Sequence, residues 1–445
     1  MGKHRIAVVG GGFTGLAAAT VLSQKNDIIE VDLFEKNSHL GGLAAGFKEP
    51  GWNSALEYYY HHWFDSDQSL KKFAALWGAT EKLCFKDLLT VIETRAGGFV
   101  PLDSAMALLK YPALDMPDKL RMGVVLAYLK ATRSWKTLER VTAEEWCIRY
   151  MGEKGFNEIW KPLLVGKFGP QYASVVNMAW LWARITARTK KLGTYRGGFQ
   201  ALIEDVGAYL RARGVQIRLS CGDLAIDKSD SPTARLRVRN SAGDAGQYSA
   251  VLMATSPFAF VKATEGLVSP DLGPTLLDRP SLGVQVVILS LREALNSRQK
   301  NYWYSLRKRE DQPFLALVEH THFVPETEFG GEHIVYLANY VDPGEPDWRL
   351  SDDELRALAL PTCRRINPEF DPASIRRSWV FRERYAQPLM LKDASRDLPP
   401  IRIPGVEGLY FGSMAHVYPW DRGTNFALEL GERIAWMMLE DLGLR

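Results

Sequence analysis

Short apolar runs at the start of the chain predict alternating strand and helix. Residues 5–9 form a β-branched apolar run that predicts a buried strand, and residues 31–34 form a second such run. Between them, residues 16–23 are rich in Ala and Leu, which is typical of a helix. A glycine-rich turn joins the first strand to this helix. The order strand, turn, helix, strand predicts the beginning of a parallel α/β sheet.

Apolar runs farther along the chain predict more strands. Residues 251–257 form a buried run that stops at a proline, and residues 408–413 form a short apolar strand that ends in glycine. Residues 234–239 alternate apolar and basic positions, which indicates a small β-meander. An amphipathic helix is predicted from residue 423 to residue 438. The predicted class is α/β, with strands contributed by distant parts of the chain.

The turn after the first strand carries a dinucleotide-binding fingerprint. Gly10, Gly12 and Gly15 follow the strand at the spacing of such a turn. Gly10 permits the tight turn, Gly12 lets backbone N–H groups approach a pyrophosphate, and Gly15 lets the helix pack closely on the strand. Glu35 ends the second strand, where a carboxylate can accept hydrogen bonds from a ribose diol. These positions together predict a bound dinucleotide.

A second glycine pair favours FAD over a nicotinamide dinucleotide. Gly41 and Gly42 bring backbone close to a ligand again, where a nicotinamide enzyme usually continues into its next helix. With the fingerprint and its acid, this pair resembles the FAD-binding start of the flavin amine oxidase superfamily. That group includes protoporphyrinogen oxidases, phytoene and squalene-type desaturases and, more distantly, UDP-galactopyranose mutases. The resemblance implies FAD as cofactor. It also adds the neighbouring motif residues Phe13, Thr14 and Lys36 to the expected site.

The C-terminal region carries another part of this resemblance. Gly412 and Ser413 end the apolar strand, and Gly423, Thr424 and Asn425 open the last helix. In the superfamily the matching segment closes over the flavin, and its helix start faces the ring edge where negative charge gathers on reduction. The resemblance implies that these residues bind FAD. Ser413 departs from the Gly-Asp or Gly-Glu that is frequent in the family, but it can hydrogen-bond the ribityl or phosphate region.

The resemblance covers essentially the whole chain and implies two interleaved domains. We expect a Rossmann-like FAD-binding domain and an α+β substrate domain that consists of a mixed sheet and a helical cap. The FAD-binding domain is expected to take residues 1–75, 193–262 and 401–445. Residues 76–192 are expected to form the helical cap and part of the substrate domain, and residues 263–400 the substrate-domain sheet.

An aromatic and imidazole cluster supplies the candidate catalytic residues. His61 and His62 follow an aromatic run, in a segment that in the superfamily lies beside the flavin ring. Because an imidazole titrates near neutral pH, either histidine could move a proton while hydride goes to flavin N5. The alternative is a histidine that hydrogen-bonds FAD or the backbone without titrating.

Residues that flank the C-terminal FAD segment are the candidate substrate contacts. Arg422 could fix an anionic substrate group, and Tyr385, Tyr418 or Trp420 could wall the flavin ring. Core packing is the alternative for each aromatic residue. Lys167 invites comparison with the lysine that some amine oxidases hold near flavin N5, but its surroundings do not match. A solvated or substrate-anchoring lysine is expected there instead.

No metal site is expected. His320 and His322 fall in a run that predicts a strand over residues 318–323, with both imidazoles on one face. A His-x-His pair can bind a metal, but neither a cysteine nor a carboxylate pair accompanies this one.

Composition favours a soluble enzyme. Of 445 residues, 46% are hydrophobic, and 55 basic against 52 acidic residues give a net charge of +3, so nothing points to a nucleic-acid partner. Four cysteines without a CxxC pair fit a reducing compartment, and a cytoplasmic location is predicted. The nearest candidate for membrane contact is residues 122–129, where a helix with its apolar face inward is favoured and peripheral attachment stays open.

The function expected from these motifs is FAD-dependent oxidation. The leading hypothesis is a dehydrogenase or oxidase that moves hydride from a C–H or C–N bond of a small organic or lipophilic substrate to flavin N5. Oxygen, a quinone or another acceptor then takes the electrons. The alternative is a non-redox flavin isomerase that acts on a nucleotide sugar, similar to UDP-galactopyranose mutase. A flavin-bearing scaffold without turnover has no positive feature in the sequence.

Overall fold

The protein is described by a computed structural model, which covers residues 3–241, 243–309 and 311–444. The strands are β1 (His4–Val9), β2 (Ile29–Phe34), β3 (Gly46–Phe47), β4 (Leu56–Glu57), β5 (Trp63–Phe64), β6 (Leu83–Asp87), β7 (Leu89–Glu93), β8 (Phe99–Pro101), β9 (Lys191–Tyr195), β10 (Gln216–Arg218), β11 (Ala225–Lys228), β12 (Leu236–Asn240), β13 (Gly243–Tyr248), β14 (Ala250–Met253), β15 (Ser281–Leu291), β16 (Asn301–Ser305), β17 (Ala316–Glu319), β18 (His333–Val341), β19 (Ile375–Pro388) and β20 (Leu409–Phe411). The helices are α1 (Phe13–Ser23), α2 (Gln68–Leu76), α3 (Ala105–Leu109), α4 (Met116–Ala131), α5 (Ala143–Met151), α6 (Glu153–Gly155), α7 (Lys161–Phe168), α8 (Pro170–Ala173), α9 (Met178–Ala187), α10 (Phe199–Ala212), α11 (Pro257–Ala263), α12 (Leu272–Leu277), α13 (Asp352–Ile366) and α14 (Thr424–Asp441).

A parallel sheet forms the centre of the first domain, and its strands come from three distant parts of the chain. The strand order is β10-β2-β1-β14-β20, and every pairing is parallel. Ile6 and Val8 of β1 pack on the helix side of this sheet, while Ala7 and Val9 pack on the other side. Both faces are buried, as parallel sheets require, which explains the continuous apolar run of β1.

The two faces of the parallel sheet are covered differently. Helices α1, α10 and α14 pack on one face, and the antiparallel meander β11-β12-β13 covers the other. Helix α14 lies unusually close to α1, because a Cβ at Gly431 would stand only 2.1 Å from the carbonyl O of Thr14. The meander predicted from the alternation of residues 234–239 is confirmed.

A mixed sheet forms the second domain. Its strand order is β19-β15-β18-β17-β16-β7-β8, and β16 pairs with β7 in parallel while the other neighbours are antiparallel. Along β15, Val286 and Ile288 face the core beneath the cap helices, whereas Val287 and Leu289 face helix α13. The expected fold class, an α/β protein with a Rossmann-like domain and an α+β domain, is confirmed.

The segment expected to form a helical cap is only partly helical. Helices α3 to α9 lie within residues 76–192, but β6, β7 and β8 lie there too. Strands β7 and β8 extend the edge of the mixed sheet, so this segment joins the substrate-domain sheet to the helices above it. Among the described residues, no helix combines the length and the apolar character needed to cross a membrane.

Candidate active site

A cavity of about 800 Å³ is lined by both sheets. On one side it is bordered by residues that follow β1, β2, β14 and β20, so it lies at the carboxyl edge of the parallel sheet. Ligands of open α/β sheets bind at this edge. The other side is formed by β16, β18 and β19 of the mixed sheet and by helices α7 and α9. The volume falls within the roughly 300–1,000 Å³ of ligand pockets.

The glycine turn after β1 has the close packing that the sequence predicts. Gly10 has a φ of +105°, and a Cβ there would lie 2.3 Å from the carbonyl O of Ala254. A Cβ at Gly15 would lie 1.9 Å from the carbonyl O of Gly10, so α1 can approach β1 this closely only with glycine. At Gly12, a Cβ would meet nothing nearer than the Cα of Gly42 at 3.9 Å. The turn therefore presents open backbone to the cavity at Gly12.

Nearly all of the predicted cofactor residues border this one cavity. Those among its lining residues are Gly10, Gly12, Phe13, Thr14, Glu35, Lys36, Gly41, Gly42, Gly412, Ser413, Gly423, Thr424 and Asn425. Gly15 is not a lining residue, because it packs helix on strand. The sequence did not indicate how the two glycine motifs meet. The Gly41 N–H donates to the Gly11 carbonyl at 2.8 Å, which holds one turn against the other.

The acid at the end of β2 is buried and faces the cavity. The Gly11 N–H donates to Glu35 Oε2 at 2.7 Å, and the Asn37 N–H donates to Oε1 at 2.9 Å. Each carboxylate oxygen has a second lone pair, so Glu35 can also accept from a ribose diol. Lys36 differs, because its Nζ pairs with Asp223 Oδ1 at 2.8 Å and its charge is already balanced.

The start of α14 is fastened to the N-terminal segment by side chains. Trp63 Nε1–H donates to Thr424 Oγ1 at 2.7 Å, and the Leu70 N–H donates to Asn425 Oδ1 at 2.9 Å. The Thr424 and Asn425 side chains thus hold the helix in place. What the helix start offers a ligand is its backbone N–H groups and the positive end of its dipole.

Ser413 is tied to a histidine that the sequence did not single out. The Ser413 N–H donates to His416 Nδ1 at 3.0 Å, and the Ser413 Oγ lies 3.2 Å from the same atom. Because the Pro399 carbonyl accepts from His416 Nε2 at 3.0 Å, the Nδ1 atom is the acceptor. Burial lowers the pKa of His416 to about 4, so the ring is uncharged near neutral pH.

Both candidate catalytic histidines line the cavity and are half-buried. His61 Nδ1–H donates to the carbonyl of Tyr59, while the buried Nδ1 of His62 has no partner among the described residues. Burial lowers the pKa of His61 to about 4. Burial, with a smaller contribution from the positive charge of Arg188, lowers the pKa of His62 to about 3. Both rings are therefore neutral at pH 7.

Charged side chains from three segments meet at the substrate-domain side of the cavity. Asp421 Oδ2 accepts from Lys167 Nζ at 2.9 Å and from Arg184 at 3.0 Å, and Trp180 Nε1–H donates to Oδ1 at 3.1 Å. Lys167 is 4% exposed, so the solvated lysine considered from the sequence is wrong. Burial lowers the pKa of Lys167 to about 7, although Asp421 opposes that shift.

Two further guanidinium groups reach the same part of the cavity. Arg422 lies over the ring of Tyr340 at 4.8 Å, and Arg188 follows the end of α9. Burial lowers the pKa of the half-buried Arg422 to about 10, whereas Arg188 is exposed, so both stay charged at neutral pH. Among the residues that the structure describes, no carboxylate forms an ion pair with either group. We call Lys167, Arg184, Arg188 and Arg422 the cationic cluster.

The predicted aromatic substrate contacts divide into two groups. Tyr385 lines the cavity. Tyr418 and Trp420 are not among the described lining residues, because Tyr418 O–H donates to Glu139 at 3.1 Å and Trp420 stacks on Phe426 with ring centroids 5.0 Å apart. Core packing is therefore what the structure gives these two positions. Tyr60, Trp303 and Tyr340 are among the aromatic lining residues that were not predicted as substrate contacts.

The His-x-His segment lies outside the site. Strand β17 ends at Glu319, and residues His320–His322 form a 3₁₀ turn, so the prediction of a continuous strand over 318–323 is wrong. His320 is buried against Phe329 and Tyr336. Among the described residues, no group of three His, Cys, Asp or Glu side chains is arranged to hold a metal ion.

Comparison with known protein families shows which family this chain belongs to. The family model described as flavin containing amine oxidoreductase matches residues 13–439, which is most of the chain. The chain belongs to this family. The flavin-containing amine oxidoreductase described here is thus an FAD-dependent oxidoreductase with a small-molecule substrate and an electron acceptor. A search of curated protein sequences finds no significant match.

Solved structures share this fold at low sequence identity. A protein of Exiguobacterium sp. 255-15, provisionally named protoporphyrinogen oxidase, is 18% identical with a TM-score of 0.74, covering 99% of this chain and 100% of that one. Reduced UDP-galactopyranose mutase is 14% identical with a TM-score of 0.77, covering 100% and 95%. Cyclohexylamine oxidase from Brevibacterium oxydans IH-35A is 14% identical with a TM-score of 0.72, covering 99% and 100%. At these identities the likeness shows the fold alone.

The observed cavity fits the flavin cofactor of the family. A side chain at Gly12 would enter the cavity, and glycine leaves that space to a ligand. Glu35 presents buried acceptor oxygens, and the start of α14 presents N–H groups. These are the donor and acceptor types that a dinucleotide with a diol and a pyrophosphate needs.

Proposed function

We propose that this oxidoreductase is a dehydrogenase or oxidase that removes hydride from a C–H or C–N bond of a small organic substrate. The observation that supports the proposal is that one cavity runs from the glycine turn to the mixed sheet. Cofactor and substrate can therefore be held in contact. Bound FAD supplies the two-electron acceptor, and oxygen, a quinone or another acceptor removes the electrons afterwards.

The cofactor end is assigned to backbone groups and one acid. The turn at Gly10 and Gly12 and the second pair at Gly41 and Gly42 receive the dinucleotide, and Glu35 accepts from its ribose. The α14 start lies at the same cavity and places the positive end of a helix dipole there. Such a dipole stabilises negative charge that develops during reduction.

The substrate end is assigned to the aromatic and charged lining of the mixed-sheet side. Tyr60, Trp303 and Tyr340 enclose this part of the cavity, and the ring of Tyr60 packs against that of Trp303 with centroids 4.9 Å apart. His61 and His62 stand at the same side as neutral imidazoles and are the candidate proton acceptors. With pKa values this low they are weak bases, and substrate binding must raise them for efficient transfer.

A second candidate function is non-redox isomerisation of a nucleotide sugar. It is favoured by the arginines of the cationic cluster, which suit a diphosphate, and by the structural likeness to UDP-galactopyranose mutase. The two candidates differ in redox requirement. A dehydrogenase starts from the oxidised cofactor, whereas a flavin mutase needs prior reduction.

Anaerobic mixing separates these candidates. Oxidised holoenzyme is combined with panels of amines, hydroxy acids and UDP-sugars, with flavin absorbance recorded before and after air is admitted. A dehydrogenase or oxidase bleaches its flavin with one panel and recovers it with an acceptor. Turnover of a UDP-sugar only after dithionite reduction would contradict the redox proposal and support the mutase. No bleaching and no turnover with any panel would contradict both.

We also propose that the enzyme acts in the cytoplasm and that helix α4 rests on an anionic membrane surface. Along one face of α4, side chains four residues apart are exposed by 52%, 59%, 71% and 58%, namely Met116, Leu120, Val124 and Tyr128. Met122 and Leu129 are buried, so the inward apolar face expected from the sequence also exists. Basic residues Lys130, Arg133 and Lys136 are exposed at the end of the helix. An apolar stripe beside basic residues is the pattern of interfacial helices.

Vesicle sedimentation tests this contact. The enzyme should co-sediment with phosphatidylglycerol vesicles and less with phosphatidylcholine vesicles, and Val124→Asp should reduce the bound fraction by roughly tenfold. The matched control is Leu277→Asp, which changes an exposed leucine of α12. Equal binding by both variants, or no binding by the unmodified enzyme, would contradict the proposal.

A further inference from the structure

The cationic cluster carries more positive charge than its protein partners balance. Asp421 is the carboxylate that contacts it, and this group already accepts from Lys167, Arg184 and Trp180. The other carboxylates of the cavity lining have separate partners. Glu35 accepts from backbone N–H groups, Asp67 from the Phe64 N–H, Asp223 pairs with Lys36 and Lys262, and Glu383 accepts from the Tyr385 N–H.

The arginines of the cluster have donors that no protein group uses. The Nε of Arg184 is buried without a hydrogen-bond partner among the described residues. Arg422 contacts the face of Tyr340, and neither it nor Arg188 forms an ion pair within the described chain. Arg422 is half-buried, whereas Arg188 is exposed at the cavity wall. Removing an unpaired guanidinium group such as that of Arg422 even partly from water is costly. A ligand that supplies negative charge and acceptor oxygens would offset this cost.

The geometry and charge of the arginines indicate which kind of anion they can bind. Guanidinium groups are planar forks that hold carboxylate or phosphate oxygens in pairs. Arg188 and Arg422 together carry two positive charges, and Arg184 adds a free N–H. Lys167 is mostly neutral above pH 7, because burial lowers its pKa to about 7. The three arginines against Asp421 then leave a net charge of +2, which a dianion balances and a single carboxylate does not. A protonated amine would meet a net positive charge at this cluster, since Asp421 already accepts from Lys167 and Arg184.

We propose that the substrate of this enzyme carries a phosphate or diphosphate group, which binds Arg184, Arg188 and Arg422 in the cavity. The proposal rests on the assignment of this side of the cavity to substrate. It separates this chain by substrate charge from amine oxidases of the same fold, such as the cyclohexylamine oxidase. The reacting bond would lie elsewhere on the substrate, toward Tyr60 and the histidines that share the cavity.

Calorimetric titration of the FAD-loaded enzyme tests the proposal. The probes are inorganic pyrophosphate, orthophosphate, acetate and propylamine, at fixed ionic strength and pH 7.5. Pyrophosphate should bind most tightly and propylamine should not bind. Arg422→Gln should weaken pyrophosphate binding by about thirtyfold, the loss typical when one partner of a buried charged pair is removed. Arg188→Gln should weaken it by about fivefold, because Arg188 is exposed. Arg298→Gln is the matched control, because the Arg298 side chain is 82% exposed.

Three results would overturn this inference. Pyrophosphate affinity could be the same in the two cavity variants as in the control, or propylamine could bind better than pyrophosphate. The cavity variants could also lose FAD while the FAD-loaded fraction keeps its pyrophosphate affinity, which would assign the arginines to the cofactor. FAD content is measured separately by release on heating. A protein that never binds FAD would refute the proposed function, whereas loss of the arginine effect alone would refute only this inference.

Discussion

The two ends of the cavity present different groups to a ligand: backbone at one end and side chains at the other. At the parallel sheet, the ligand surface is backbone, shaped by glycines whose Cβ positions are blocked or face the cavity. At the mixed sheet, the surface is made of side chains brought together from α7, α9, β18 and the loop before α14. Backbone geometry receives a cofactor that the whole family shares. Side chains can change without altering the fold, so the second end is where this chain's own specificity lies.

The largest expected effect is at the backbone-built end. Gly15→Val would force a Cβ into a position 1.9 Å from the Gly10 carbonyl O, so α1 must move away from β1. We expect a loss of about 3 kcal/mol in the free energy of unfolding, at the upper end for overpacking, together with loss of FAD. Thermal unfolding measures the first and released flavin the second.

The control for this substitution is Gly123→Ala in α4, where a Cβ meets nothing within 4 Å. It should keep FAD and gain up to about 1 kcal/mol from helix propensity. If Gly15→Val were as stable as this control, close backbone packing would not be what defines the cofactor end.

A pH-dependent effect is expected at the side-chain end. The pKa of Lys167 is about 7 in the folded protein against an ordinary value of 10.5, because of burial. Between these values the unfolded chain binds more protons, so this lysine makes stability rise as pH increases. Relative to Lys167→Met, the unmodified enzyme should gain roughly 2 kcal/mol between pH 7 and pH 9. Urea unfolding at each pH, followed by tryptophan fluorescence, measures the difference.

Lys161→Met is the control for that series, since Lys161 lies exposed on the same helix. It should show the same pH dependence as the unmodified enzyme. A stability difference between Lys167→Met and the unmodified enzyme that does not change with pH would mean that Lys167 keeps an ordinary pKa.

A smaller effect is expected where the two ends are joined. Thr424→Val removes the oxygen that accepts from Trp63 Nε1–H at 2.7 Å and leaves a buried donor unpaired. The expected loss is about 1.5 kcal/mol of stability, with weaker FAD binding because the start of α14 is no longer fixed. Thr275→Val, at an exposed position of α12, serves as the control. Unchanged FAD affinity would show that the helix start does not depend on this bond.

The smallest effect is expected at Tyr418, which the sequence placed beside the substrate. Tyr418→Phe removes hydrogen bonds with Glu139 and Asn177 and should cost about 1 kcal/mol of stability. Because Tyr418 is not a described lining residue, kcat/KM should change less than twofold. Steady-state kinetics and thermal unfolding measure both. A tenfold fall in kcat/KM would show that Tyr418 contacts the substrate after all.

The backbone-built end of the cavity could be predicted from the sequence, whereas the side-chain-built end could not. Gly10, Gly12, Gly15 and Glu35 lie close together in sequence at a spacing set by backbone geometry, so their arrangement could be predicted. The cationic cluster could not, because Lys167 and Asp421 are 254 residues apart and meet only through the packing of the two domains. The separation of Tyr385 from Tyr418 likewise depended on tertiary contacts, since Tyr418 is held by Glu139, 279 residues away in sequence.

One wrong prediction has a local cause. The strand expected through His320 stops at Glu319, because the chain turns there and buries His320 against aromatic rings. Apolar alternation over so few residues does not distinguish a strand from a strand followed by a turn. Strands β7 and β8 were not predicted individually from the sequence, because they are short and β7 gains its pairing from the distant strand β16.

Open backbone at Gly12 is inferred to receive FAD, and the FAD content of Gly12→Val is the measurement to make. Released flavin is measured for the unmodified enzyme, for Gly12→Val and for Gly123→Ala, with thermal unfolding of each apoprotein as a check on folding. We expect near-stoichiometric FAD in the unmodified enzyme and in Gly123→Ala. We expect almost no FAD in a Gly12→Val protein that unfolds at a similar temperature. Full FAD content in Gly12→Val, or an unmodified protein that cannot be loaded with FAD, would contradict it.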